Sequence, residues 1–136
     1  MDYLAVVTPI IEGLGFKVVE LSHSPVKGGL KFMLYIYKQN GVSLDDCAKV
    51  SLACAARLQA LMPAGGEALL EVSSPGLNRV FKDVHEYAIF KGKEVQLNLK
   101  TGETALGIIG ESNEVGVYVN ANLYEYAAIA KAKLRG

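Results

Sequence analysis

The hydrophobic pattern of this chain changes character near residue 73, and that change limits what it can fold into. Before it, apolar residues recur at helical and strand periods in turn; after it, short alternating runs are punctuated by Gly and Asn. A length of 136 residues accommodates one ordinary domain or two small ones. With 51% of residues apolar and 21% charged, the chain can bury a core and does not have the composition of a disordered tail.

In the first part, Leu4, Val7, Ile11 and Leu14 predict a helix over about Tyr3–Leu14. Pro9 lies inside that pattern, so either Thr8 caps a shorter helix or the helix kinks there. Phe16–Ser22 reads as a strand, and Pro25 through Gly29 as a turn. Leu30–Lys38 is the clearest strand, with Leu30, Phe32, Leu34 and Ile36 on one face and Lys31, Met33, Tyr35 and Tyr37 on the other. Ser43 reads as the cap of a second helix, with Asp45 and Asp46 in its first turn. Cys47, Val50, Cys54, Leu58 and Leu61 form its apolar stripe. Pro63 and Gly65-Gly66 stop it, and Ala68–Val72 is a third strand. The order α-β-β-α-β describes a helical layer over one sheet.

Beyond the break, Asp83–Phe90 predicts a short helix. Strands follow at Lys93–Leu99, Thr104–Glu111, Gly116–Asn120, Leu123–Tyr126 and Lys131–Leu134, with a helical turn over Ala127–Ala130. Such a series of short strands predicts a small curled barrel. The fold class expected is therefore α+β: residues 1–73 as an N-terminal α/β domain, 74–82 as a linker and recognition loop, and 83–136 as a C-terminal barrel.

Fourteen basic residues balance fourteen acidic ones, and neither part departs from neutrality by more than one charge. Binding driven by phosphate contacts favours a basic excess, so a protein partner, a basic one included, is favoured over bare nucleic acid. No apolar run approaches the roughly 18 residues that span a bilayer, and Met1-Asp2-Tyr3 lacks a basic n-region. No membrane association is expected, and the cytoplasm is the expected location. Cys47 and Cys54 stand about 10 Å apart along one helix, too far for a disulfide, and are read as small buried side chains.

A catalytic set is not found. His23 and His85 accompany no recognisable nucleophile, Asp45 and Asp46 are explained by helix capping, and Lys27-Gly28-Gly29 lacks the spacing of a phosphate loop. No catalytic residue, metal ligand or cofactor is expected, and an enzyme acting through His23 or His85 is the weaker rival. A second rival is an RNA-binding module using Tyr35 and Tyr37 with Lys31 as a stacking platform, although packing produces the same mixture.

The remaining feature is Leu70–Phe81, LEVSSPGLNRVF. Pro75 presets φ, Gly76 permits a turn, and Ser73, Ser74 and Asn78 satisfy local backbone groups, as a linker requires. Leu77 and Arg79 are not explained that way: an aliphatic side chain and a guanidinium on a pre-bent loop suit recognition. The candidate partner-binding residues are Ser74, Pro75, Gly76, Leu77, Asn78 and Arg79, with Lys82, Lys91 and Lys93 as an adjoining cationic rim.

Residues 71–79, EVSSPGLNR, resemble the signature segment of the bacterial ribosome maturation factor RimP family. Gly41–Ala48, Leu14-Gly15-Phe16 with Val18-Val19-Glu20, and Phe90–Val95 resemble three further blocks of that family, in the family's order. The resemblance implies an N-terminal domain related to the KH type and a C-terminal SH3-like, or Sm-like, barrel. It also implies a non-enzymatic factor for 30S subunit assembly that binds the decoding-region ribosomal protein numbered twelve in the small subunit. A monomer is expected, with a direct 16S rRNA contact as an additional possibility. Two positions depart from the family pattern: Asn78 stands where Asp is usual, and Val80 where Pro is usual. The first removes a carboxylate next to Arg79, and the second is expected to loosen the loop.

Overall fold

Two sheets organise the chain in the computed structural model, which describes residues 1–76 and 78–135. A three-stranded sheet lies in the unit Met1–Pro75, and a five-stranded sheet in the unit Gly76–Gly136. The protein is thus a mixed α+β chain.

In the first unit, α1 (Tyr3–Gly13) starts well before Thr8, because the Asp2 carboxylate accepts the Ala5 N–H at 3.1 Å and caps it there. The helix runs through Pro9, and the Thr8 hydroxyl donates to the Leu4 carbonyl at 2.6 Å. Strands β1 (Lys17–Val26) and β2 (Gly29–Tyr37) form an antiparallel hairpin closed at Val26 and Gly29. β1 extends past the expected Ser22 and includes Pro25, which the sequence places in a turn. A proline fits there because β1 is an edge strand in the order β1-β2-β3.

Helix α2 (Leu44–Ala60) has the predicted capping box. The Ser43 hydroxyl accepts the Asp46 N–H, and the Asp46 carboxylate accepts the Ser43 N–H, both at 3.0 Å. The crossover through α2 lets β3 (Glu67–Ser73) pair parallel to β2. Gln59 secures the return: its amide donates to the Gly66 carbonyl at 2.8 Å and accepts the Ala68 N–H at 2.9 Å.

The β2 alternation appears as the sequence reads it. Phe32, Leu34 and Ile36 are fully buried with Val7, Ile11, Phe16, Val50, Cys54 and Leu58. Leu4 and Leu14, the ends of the expected α1 stripe, are instead exposed, while Tyr3 and Ile10 pack against the core.

The second unit contains α3 (His85–Ile89), β4 (Glu94–Leu99), β5 (Thr104–Ser112), β6 (Gly116–Val119), β7 (Asn122–Glu125) and β8 (Ile129–Leu134). A 3₁₀ turn at Tyr126–Ala128 precedes β8. The strand order is β7-β6-β5-β4-β8, with every pairing antiparallel. Tyr87, Phe90, Val95, Leu97, Ile109, Val117, Val119 and Ala132 are buried. Register breaks at Asn98/Leu99 and Ile109/Ser112 mark places where such strands bend. Because Ala132 faces inward opposite Leu97, strand alternation directs Lys131, Lys133 and Arg135 to the other side.

Candidate functional site

The segment that follows β3 leaves one unit and becomes part of the other. Ser74 and Gly76 are exposed and Pro75 is half-buried, while Leu77 lies outside the described residues. Arg79 donates its N–H to the Gly76 carbonyl at 3.1 Å. The chain then runs alongside β8: Leu134 donates to the Arg79 carbonyl and Phe81 to the Ala132 carbonyl, both at 2.9 Å, with Val80 opposite Lys133. Residues 79–81, read from the sequence as part of a linker, are therefore a short extra strand on the β8 edge.

Strand alternation now separates the side chains. Phe81 turns inward, edge-on to Tyr87 at 4.9 Å and stacked on Phe90 at 5.3 Å. Arg79 turns inward as well, and its side chain is only 8% exposed. Its Nε and Nη2 donate to the two carboxylate oxygens of Glu86 at 2.9 and 3.1 Å. The Lys82 and Asp83 backbone N–H groups donate to Glu86 Oε2 at 2.8 and 3.1 Å, so this 1%-exposed carboxylate is well satisfied. This corrects the expectation of an outward-facing guanidinium on the loop: Arg79 is held by a buried acid and does not present a free fork to a visitor.

Glu86 is the residue that sequence reasoning missed. In a five-residue helix it has no periodicity to mark its inward face, and Glu is rarely buried unless paired. Burial, with Tyr126 and the Glu86 charge as lesser causes, pushes the neighbouring Tyr87 phenol up to about 12.

The three lysines expected to adjoin the segment differ in their surroundings. Lys91 pairs with Glu111, and the Lys93 N–H donates to the Phe90 carbonyl while its own carbonyl accepts the Ile109 N–H, on the β5 side of β4. Lys82 continues the strand beside β8, on the opposite side of β4. Asn78 is exposed and lines a shallow cleft of about 300 Å³ with Glu94, Lys133 and Arg135.

The rival sites gain little from the geometry. His23 packs edge-on to Tyr3, 5.2 Å between ring centres, and His85 Nδ1 meets the exposed Asp83 carboxylate at 2.9 Å. The side-chain and backbone hydrogen bonds from His85 lower the Asp83 pKa. Burial pushes the Cys47 and Cys54 thiols up, which disfavours the reactive thiolate. No metal-ligand cluster occurs among the described residues. Tyr35 and Tyr37 are half-buried, the Tyr37 hydroxyl is enclosed, and Lys31 pairs with Glu71 at 3.6 Å. Among the described residues, no helix is long and apolar enough to cross a membrane.

Residues 6–78, more than half of the chain, match the family model described as the RimP N-terminal domain. The chain belongs to the RimP family. Membership associates it with ribosome maturation, and the matched region runs from α1 through the Ser74-Pro75-Gly76 stretch to Asn78.

The RimP departure at Val80 has a structural account. The bonds to β8 use the Arg79 carbonyl and the Phe81 N–H, so the Val80 N–H takes no part in this pairing. That backbone pairing holds the segment on either side of Val80. Val80→Pro is expected to change stability by less than about 1 kcal/mol in thermal melting. A loss near 3 kcal/mol would show that the ring or the missing donor is not tolerated.

Proposed function

We propose that this RimP-family protein is a non-enzymatic assembly factor for the 30S ribosomal subunit, acting as a cytoplasmic monomer. It binds the small-subunit ribosomal protein numbered twelve on the immature particle and favours its correct placement by differential affinity. The proposed domain types are KH-like for the first unit and SH3-like for the second. The observation that carries the reading is the family match, which extends through the signature segment to Asn78.

Ser74, Pro75, Gly76, Leu77 and Asn78 are proposed as the contact segment, with Arg79 acting through Glu86 to hold its far end. Of the three lysines, Lys82 alone continues this segment; Lys91 and Lys93 are outlying members of the proposed surface. Gly76 supports the role in a particular way. Its backbone is outside the left-handed region, and nothing lies within 4 Å of an added Cβ, so neither conformation nor internal space requires glycine. Close approach by a partner backbone would require it.

Gly76→Arg is therefore expected to leave the melting temperature unchanged and weaken co-sedimentation with 30S precursors by about tenfold, equivalent to about 1.4 kcal/mol. Unchanged co-sedimentation, together with a normal sucrose-gradient profile in a deletion strain, would overturn the proposal.

A further inference from the structure

The overall charge balance conceals a local excess. Lys131, Lys133 and Arg135 alternate along β8 and its end, and no acidic residue interrupts them. Successive side chains on one face of a strand stand about 7 Å apart, which lets each cation meet a different phosphate. Lys131 and Lys133 form no ion pair among the described residues, while Arg135 lies 3.8 Å from Glu94 and donates to Gln96 at 3.1 Å. The extra strand extends the face: Val80 lies opposite Lys133, Asn78 shares a cleft with Lys133, Arg135 and the single carboxylate of Glu94, and Lys82 shares another with Lys131 and Asp83.

We infer that this outward row, Lys131, Lys133 and Arg135 with Asn78 beside it, is a contact surface for the sugar-phosphate backbone of RNA. The choice of occupant rests on charge complementarity and on the reading proposed above. The positive charge of Lys131, Lys133 and Arg135 disfavours a basic ribosomal protein on the row itself, whereas the anionic macromolecule of a ribosomal precursor is its RNA; Asn78 is where this surface borders the proposed protein-contact segment. Asn78 adds no charge to the cleft, where Glu94 already offsets part of the charge of Arg135 and a second carboxylate would offset that of Lys133.

The test is fluorescence anisotropy of the full chain with labelled oligouridylate across a salt series. Three phosphate contacts predict a slope of log K against log salt of about −2, at about −0.7 per contact on a single strand. Lys131→Gln with Lys133→Gln should reduce affinity at least about tenfold and bring the slope near −0.7. Asn78→Asp should weaken binding about threefold through an added like-charge repulsion. All three substitutions are on the surface, and unchanged melting verifies the fold. An unchanged slope in the double variant, or binding of polyglutamate but not oligouridylate, would overturn the inference, the latter in favour of an acidic protein segment. A chain that binds RNA through these lysines but does not sediment with 30S precursors would overturn the proposed function while supporting this surface.

Discussion

Arg79→Ala is expected to destabilise the protein by about 3–5 kcal/mol, because Glu86 would remain buried with its charge uncompensated. The Glu86 side chain is 1% exposed, and two of its four described hydrogen bonds come from the guanidinium. Adding Glu86→Gln should recover much of the loss, since an amide oxygen still accepts the Lys82 and Asp83 N–H groups while the buried charge is gone. Arg79→Lys should recover less, because an ammonium cannot reproduce the bidentate geometry. Urea unfolding of the four proteins measures the series. A loss below about 1 kcal/mol for Arg79→Ala, accompanied by lost 30S association, would restore Arg79 as a direct contact.

Gly29→Ala is expected to cost at least about 3 kcal/mol, at the top of the range for overpacking. A methyl group there would overlap the Glu67 carbonyl and lie 2.7 Å from the Glu67 nitrogen, where β2 and β3 begin their parallel pairing. The strands cannot yield without losing register. Gly28→Ala, one residue earlier, should cost only about 1–2 kcal/mol: its φ of +87° is unfavourable for a side chain, but nothing lies within 4 Å. Thermal or urea melts that reversed the order of the two variants would show that the hairpin turn, and not the β2–β3 approach, is the constrained feature.

The contrast between these glycines shows how much of the fold was legible. Both read from the sequence as members of one turn, and only the pairing of β2 with a strand far along the chain gives Gly29 its steric role. The α2 cap was legible because Ser43 and Asp46 act over three residues of local chain. The β2 faces were legible because a two-residue period directs side chains whatever the neighbours are. Pro25 was misleading because it marks a local cost that an edge position avoids in the folded chain, whereas Pro9 stands inside α1, within the span the apolar spacing predicts.

At the candidate site, the signature segment was visible as a cluster of turn residues and a family resemblance, and Asn78 stood out as a departure. The direction of each side chain was not visible. An arginine on a proline-glycine loop has the same sequence whether it faces solvent or a buried carboxylate.

The sequence by itself determined the order of elements, the α2 cap, the alternating faces of β2 and the family, since each depends on chain-local spacing and residue type. Only the tertiary structure decided that residues 79–81 pair with β8, that Arg79 turns inward to Glu86, and that Lys131, Lys133 and Arg135 line up beside Asn78. Those outcomes depend on which strands become neighbours. Pairing between segments about fifty residues apart sets the alternation of the extra strand, and with it which charges are buried and which remain available.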